Sequence, residues 1–434
     1  DFMFACSMYP GDEKFVQNVK QEVIDNVNRL QNHPSIAIWC GNNENDEGWH
    51  NWGWQKRFNY SKADSTQIWN DYKKVFHEMI PQTLDSLLPK EKNIYWSSSP
   101  SIGWGRKESL TQGDSHYWGV WWGKEPFEIY EKKVGRFMSE YGFQGMPNLE
   151  TLQKVMNKED LNFTSEAFKN HQKHPTGYET INEYMERDYV VPKDFEDYAY
   201  VSQLLQARGM KTAIEAHRRA KSYCMGTLYW QFNDCWPVTS WSSLDYYGNW
   251  KAFHYQAKRS FENVLLSAEV TDSGIYKFFV INDGMQNYAG ELKAEIRNFK
   301  GQLLWEKKAY CKSDASSNVA AILLPFPSLK EIDTQNSYIK LEFISDDNHW
   351  ESNFFFEKPK DLKLSKPDIQ IKTIDEVTIE ISTDVLAKDV FLYSENDTFF
   401  EENYFDLFPN EKRIIKLSKP VQNIKVKSLF DTLK

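Results

Sequence analysis

"IAIWCGNNEND" runs from Ile36 to Asp46, and its two halves make opposite demands. Ile36 to Cys40 is an unbroken apolar run, which reads as a short strand covered on both faces, as in a parallel sheet. Gly41-Asn42-Asn43-Glu44 then sets two amides and a carboxylate where the core should end. In folds built from parallel strands, ligands gather outside the carboxyl ends of those strands. A polar cluster at such a point is a candidate for chemistry, and the fold class turns on whether the pattern repeats.

It does repeat. Upstream, Phe15, Val19, Val23, Val27 and Leu30 recur at spacings of three and four, predicting an amphipathic helix over 12–33 that Pro34 closes. A second helix is expected over about 66–88, a long one over about 194–222, and a last one from Trp250 to about Leu265. Between them lie three further apolar runs with polar ends. Asn93-Ile94-Tyr95-Trp96 ends in serines, Arg136-Phe137-Met138-Ser139-Glu140 in Tyr141-Gly142, and Thr227-Leu228-Tyr229-Trp230 in Gln231-Phe232-Asn233-Asp234. Strand and helix in alternation predict a parallel sheet, either open and doubly wound or closed into a barrel. No glycine-rich phosphate loop follows any strand, which disfavours a nucleotide fold. Fewer than eight βα units precede residue 265, so a barrel would have its first strands ahead of Asp1. Asp1-Phe2-Met3-Phe4-Ala5 itself reads as the end of a strand already under way, and the chain as the C-terminal part of a longer protein.

After about residue 266 the texture changes. Tyr276–Ile281, Glu291–Ile296 and Tyr338–Phe343 are short β-branched and aromatic segments separated by turn signals such as Asn282-Asp283-Gly284. They predict an antiparallel sandwich of immunoglobulin-like size. A charged, proline-marked stretch at 357–367 reads as a linker, and Val377–Ile381 with Val390–Tyr393 opens a second sandwich. The expected order is thus an incomplete barrel over 1–265, a sandwich over 266–356 and a smaller one over 357–434.

The composition narrows the function. With 41% hydrophobic and 26% charged residues among 434, the chain reads as a soluble globular protein. No run reaches the roughly 18 apolar residues of a membrane helix. A formal charge of −10 without a basic stripe argues against nucleic acid as a partner. Five scattered cysteines without CxxC spacing suggest neither a zinc site nor a disulfide framework. Aromatics are abundant at 15%, and all tryptophans but Trp305 and Trp350 fall between Trp39 and Trp250. Clusters such as Trp118, Trp121, Trp122 exceed ordinary packing needs. Beside carboxylates and amides they suit a sugar, whose ring offers C–H faces to stack and hydroxyls to bond.

Two carboxylates stand at expected strand ends, Glu44 and Glu140, and in a parallel barrel both would face the same mouth. Glycoside hydrolysis needs such a pair: one carboxyl protonates the leaving oxygen while the other attacks or activates water. Whichever of the two serves as the acid needs a raised pKa from apolar neighbours and from the other charge. Asn43 could bond a sugar 2-hydroxyl. Other candidates are thinner. His171 and His174 lack an acidic partner for a metal, Cys235 lacks a histidine to activate it, and Cys6 stands near a strand end where it could touch a ligand.

Ile36–Asp46, "FMSEYGFQ" (Phe137–Gln144), "LYWQFNDCWPVTSW" (Leu228–Trp241) and the opening "DFMFACSMYP" together resemble the β-mannosidases of glycoside hydrolase family 2. The resemblance covers nearly the whole chain. It implies a retaining exo-β-mannosidase on a (β/α)8 TIM barrel, here with strands about 3–8, followed by two immunoglobulin-like sandwiches. Glu44 would be the acid/base, Glu140 the nucleophile, and Asn43 the partner of the 2-hydroxyl. Trp118, Trp122 and Trp230 would wall the subsite, with Trp52 near its entrance. No cofactor and no metal are implied. The partners would be a β-mannoside and the N-terminal domains of the same full-length chain, and the setting periplasmic or secreted, lysosomal in a eukaryote. Within the same family, exo-β-glucosaminidase is the main rival; a carbohydrate-binding fragment without turnover is the alternative outside catalysis.

Overall fold

The computed structural model describes residues 1–90, 94–325, 329–395 and 398–433. The chain falls into two compact units: Asp1–Gly119, Lys133–Tyr141 and Tyr223–Leu228 form the first, and Val120–Lys132, Gly142–Ser222 and Tyr229–Lys434 the second.

In the first unit, helix α1 (Glu13–Leu30) starts where the Asp12 side chain accepts the Phe15 N–H, an N-cap that satisfies one orphan donor. Its Val16, Val19, Val23 and Val27 are buried against Phe2, Phe4, Trp39, Tyr72, Val75, Phe76 and Leu84. Then come α2 (Asn45–Asn51), α3 (Trp54–Arg57), α4 (Lys62–Lys73) and α5 (Ile80–Leu87), the last two joined through a π-wound turn at Lys74–Met79. Ser61 and Asp64 close a capping box at the start of α4.

The strands are short. β1 (Trp39–Cys40) pairs in parallel with β2 (Tyr95–Trp96), and β3 (Ser115–His116) in parallel with β4 (Met138–Glu140). Single parallel bridges Ala5–Asn43, Asn43–Ser99 and Met138–Thr227 continue both series. The parallel sense is what strand–helix alternation requires, and the sheets are open among the described residues.

Three expectations need correction here. The strand read at Ile36–Cys40 is only Trp39–Cys40, because the Ile36 N–H turns back to the His33 carbonyl and the ladder starts with Trp39 N–H to Ile94 O. Ile36 and Ile38 are exposed, so the run is not covered on both faces. Thr227–Trp230 forms one bridge at Thr227 instead of a strand, and Leu228 and Trp230 are exposed. Of the run at Asn93–Trp96, Asn93 lies outside the described residues.

In the second unit, α6 (Leu149–Val155), α7 (Glu166–Asn170), α8 (Gly177–Asp188), α9 (Phe195–Arg219) and α10 (Ala252–Ser260) precede the all-β region. The last helix stops at Ser260, and Leu265 belongs instead to β5 (Val264–Val270), paired antiparallel with β6 (Ile275–Asn282). β7 (Tyr288–Asn298), β8 (Leu303–Ser313), β9 (Ser317–Pro325), β10 (Ser337–Ser345) and β11 (Asn348–Phe355) follow. Sheet β5-β6-β9 and sheet β11-β10-β7-β8 together bury Val264, Phe278, Leu292, Ile296, Ile339 and Phe343. β12 (Ile369–Asp375), β13 (Thr378–Thr383), β14 (Ala387–Tyr393), β15 (Phe405–Leu407), β16 (Lys412–Lys416) and β17 (Lys425–Lys427) make two three-stranded sheets around Ile379, Ile381, Val390, Leu392 and Ile415. The stretch expected as a linker is pinned: Lys358 pairs with Asp188 at 2.6 Å, and Lys360 bonds the Glu186 carbonyl at 2.9 Å. No described helix is long and apolar enough to cross a membrane.

Candidate active site

The polar turn after β1 is built by Asn42, which is wholly buried. Its Nδ2 donates to Ser97 O at 2.8 Å and its Oδ1 accepts from Ser98 Oγ at 2.8 Å and from Asn45 N–H at 3.1 Å. Those bonds fix the entry to α2. Glu44, the residue before that helix, takes left-handed backbone angles with φ at 63°. A glutamate there costs on the order of 1–3 kcal/mol, which surrounding structure must over-determine. Here Glu44 N–H bonds Ser99 O at 2.9 Å and Glu44 O accepts from Gly48 N–H at 2.8 Å. The effect is to aim the Glu44 carboxyl away from the helix it precedes, which it does not cap.

That carboxyl meets two others' territory. Glu44 Oε1 is 2.9 Å from His116 Nδ1 on β3, and the same nitrogen lies 3.6 Å from Glu140 Oε2 on β4. One donor atom each from Glu44, His116 and Glu140 fall within 4.8 Å of one another. Glu140 Oε1 accepts the Trp118 indole N–H at 3.0 Å. The β3–β4 register carries this: Tyr117 N–H bonds the Glu140 carbonyl, so His116, Trp118 and Glu140 are set by one ladder. Behind the ring, His116 Nε2 is 3.0 Å from Ser99 Oγ. Asp114 then accepts from Ser99 Oγ and Ser139 Oγ, each at 2.5 Å, and from Trp96 Nε1 at 3.1 Å. Below Glu140, Tyr141 is fully buried with its hydroxyl 2.7 Å from Thr227 Oγ1.

The electrostatics follow from burial and crowding. Burial pushes the Glu140 carboxyl up to about 6, the His116 charge and the Trp118 N–H pull it down, and the Glu44 charge pushes it up again. Burial also opposes a charged His116, yet the bond to Glu44 and the charges of Glu140, Glu44 and Asp114 raise its pKa overall. Cys6, whose Sγ is 3.5 Å from Glu44 Oε2 and 3.7 Å from Asn43 Nδ2, is driven up to about 12 by burial and then by the Glu44 charge, so its thiol stays protonated.

Among the residues expected at a site, the first unit therefore brings together Glu44, Glu140, Asn43, Trp118 and Cys6. Trp52 is exposed and packs edge-on against Trp54, 5.7 Å between centroids. Trp122 and Trp230 belong to the second unit, both exposed, and Trp122 lies against His174 at 4.4 Å. His171 stacks on Trp236 and bonds the Pro237 carbonyl, which explains the histidine pair by packing. Glu44, His116 and Glu140 offer a donor set that a cation could enter, and within it the imidazole Nδ1 already faces both carboxylates. A second such group, Glu342, His349 and Glu351, is occupied by Lys340 and Lys293.

His116 was missed from sequence, with Asp114, Ser99 and Ser139 behind it. The available signal was "GDSHYWG" (Gly113–Gly119): polar residues packed into a strand beside a tryptophan already suspected of facing sugar.

Comparison with known proteins gives the following. A Mannosidase Ig/CBM-like domain model matches residues 274–361, and an Ig-fold domain model of mannosidases matches 364–432. The β-mannosidase of Rattus norvegicus is 32% identical over 325 residues, 70% of this chain and 36% of that protein. β-Mannosidase B of Aspergillus niger is 25% identical over 463 residues, 99% of this chain and 54% of that one. The crystal structure of the β-D-mannosidase from Dictyoglomus thermophilum superposes with a TM-score of 0.84 at 31% identity, over 99% of this chain and 52% of that one. The exo-chitosanase CsxA of Amycolatopsis orientalis, at 14% identity and a TM-score of 0.67, shares the fold. The chain spans about a third to a half of the length of the curated relatives it matches.

Proposed function

The chain belongs with the β-mannosidases of glycoside hydrolase family 2, and from that premise we propose that it carries the catalytic pair of a retaining exo-β-mannosidase. Glu140 attacks the anomeric carbon, Glu44 protonates the departing oxygen, and a covalent glycosyl-enzyme forms; water activated by Glu44 then releases mannose with its configuration kept. The parallel strands of the first unit are, in this reading, part of a (β/α)8 barrel spanning about 1–265, with sandwiches over 266–356 and 357–434 behind it. Its partners are a β-mannoside and the N-terminal domains of the full-length protein.

The observation that carries the reading is the closeness of the two carboxyls. Oxygens of Glu44 and Glu140 within 4.8 Å of one another support direct attack, for which carboxyl groups about 5–5.5 Å apart are usual, against about 6.5–9.5 Å in inverting enzymes. Asn43, whose amide is beside Cys6 Sγ, is the group we assign to the 2-hydroxyl. That hydroxyl is axial in mannose, so the amide's placement is where discrimination would arise. Trp118 both orients Glu140 and, with Trp52 and Cys6, is assigned to the sugar's surroundings.

The test is hydrolysis of p-nitrophenyl β-mannoside by the protein in its full encoded length, with the product anomer followed by proton NMR. Retention is expected, and Glu140→Ala should lose activity by at least about 10⁴-fold while Glu44→Ala loses about 10²–10⁴-fold. An inverted product, or an active Glu140→Ala, would end the assignment. Faster turnover of the β-glucosaminide would move the protein to the rival substrate.

A further inference from the structure

The hydrogen-bond inventory around His116 fixes more than the pair of glutamates requires. A hydroxyl has one hydrogen to give. Ser99 gives its own to Asp114 Oδ2 at 2.5 Å, the charged and closer acceptor. Its oxygen therefore faces His116 Nε2 at 3.0 Å as an acceptor, and that nitrogen must carry hydrogen. The other nitrogen, Nδ1, looks at Glu44 Oε1 at 2.9 Å and Glu140 Oε2 at 3.6 Å, both carboxylate oxygens. With Glu44 ionised, a doubly protonated ring alone satisfies both sides. The ring is 3% exposed, so water supplies no substitute. The charged groups facing it are Glu44 before α2, Glu140 on β4 and Asp114 ahead of β3, with the neutral thiol of Cys6 beyond Glu44.

We propose that His116 stores the acid proton of the pair, lending it to Glu44 in the first half of the reaction and recovering it in the second. This rests on the hydrolase reading above. His116 touches no substrate atom; it is a positioning residue that acts through Glu44. In the first step the bond from Glu140 to the anomeric carbon forms and the glycosidic C–O bond breaks. The Nδ1 proton passes to Glu44, and Glu44 gives a proton to the leaving oxygen, which departs as an alcohol. The carboxylate of Glu140 has become a neutral ester, and the imidazolium a neutral imidazole that keeps its Nε2 hydrogen on Ser99. One negative and one positive charge leave together, so the buried site holds the same net charge before and after. That spares it the cost of an uncompensated charge in a poorly solvated place. In the intermediate the bare Nδ1 faces Glu44, and two lone pairs in opposition make Glu44 a better base when a base is needed. Water then attacks the anomeric carbon, the ester C–O bond breaks, and the water proton travels to Glu44 and on to Nδ1.

The experiment is nitrogen NMR of the ¹⁵N-histidine-labelled protein, with His116 assigned by its disappearance in His116→Asn. At neutral pH both His116 nitrogens should be protonated. After reaction with 2-deoxy-2-fluoro-β-mannosyl fluoride, which leaves a stable ester, Nδ1 should lose its proton while Nε2 keeps it. A bare nitrogen in the free protein, or a doubly protonated ring in the ester, overturns the proposal. Failure of the ester to form on Glu140 would instead remove the hydrolase reading, while the free-protein spectrum still decides where the proton rests. Kinetics give a second arm. Asparagine can bond Glu44 but stores no proton, so the loss in kcat/KM for His116→Asn should be about 100-fold greater for methyl β-mannoside than for the dinitrophenyl compound, whose leaving group needs no acid. Equal losses on both would mean a merely structural histidine.

Discussion

Glu140 is buried, beside a second carboxylate and beside an imidazole, and the first of these dominates its titration. With its carboxyl raised to about 6, Glu140 in the proposed role of a nucleophile that works ionised should lose kcat/KM below about pH 6 with a slope of one proton, measured at substrate concentrations well under KM. The same shift has a stability sign. A carboxyl whose folded pKa lies above its unfolded value favours the fold while protonated, and that contribution is lost as pH rises through about 6. Glu140→Gln removes the buried charge and should therefore be more stable than the wild type by about 2 kcal/mol at pH 7, and no more stable below about pH 4.5. Urea unfolding at both pH values checks it; equal stability at pH 7 would show the charge to be fully compensated in place. Glu44 and Glu140 were legible in the sequence because each stands where an apolar run turns polar. The left-handed turn that aims Glu44 was not, because it depends on Ser99, far along the chain. His116 was not legible either. A lone histidine means nothing until its partner 72 positions away is known.

Elements with a long period were readable and short ones were not. α1 and α9 declare themselves through residues three and four apart, and α9 runs Phe195–Arg219 against a reading of about 194–222. β1, β2 and β3 have two residues each, fewer than a period-two pattern needs to show itself. Their place is set by parallel neighbours, which is why the apolar Ile36 and Ile38 were read as buried and are exposed. Within α9, Gly209 tests propensity against packing. Helix propensity alone says Gly209→Ala should stabilise by about 1 kcal/mol. A Cβ there would stand 2.3 Å from Phe127 Cε1. Phe127 is itself 2% exposed, edge-on to Phe143 and tilted against Tyr184, so it has nowhere to retreat. Overpacking of this kind costs about 1–3 kcal/mol. The variant should thus be destabilised by up to about 2 kcal/mol, seen as a lower urea midpoint at unchanged m; a raised midpoint would mean that Phe127 can yield.

At the scale of the molecule, the second unit is bound together by more than sequence continuity. The two β regions have separate cores, and a third small cluster of Phe299, Tyr338, Leu362, Leu386 and Phe408 joins them. Tyr338 and Phe408 stack at 4.2 Å, Leu386 N–H bonds the Phe299 carbonyl at 2.9 Å, and Lys340 pairs with Glu411 at 2.5 Å. The helices are tied in as well: Tyr255 OH bonds the Phe400 carbonyl at 3.0 Å and Lys427 pairs with Asp197 at 2.7 Å. The sequence showed strands and turns here but not this joint, since the residues that make it come from five separate stretches and carry no shared period. A joint so placed should govern cooperativity. Phe408→Ala opens a cavity worth about 3–5 kcal/mol where only the two β regions meet. If the joint couples them, the loss will not be shared evenly. Hydrogen exchange should rise first across β12–β17, whose own core is the smaller, while β5–β11 keeps its protection, and calorimetry should show a transition split that the wild type lacks. Ile381→Ala, at the centre of the smaller core, serves as the control: it should lower the stability of β12–β17 without splitting the transition, because the joint remains to pull β5–β11 down with it. A uniform fall in protection for Phe408→Ala would show that the helices, and not the aromatic joint, hold the two regions to a single fate.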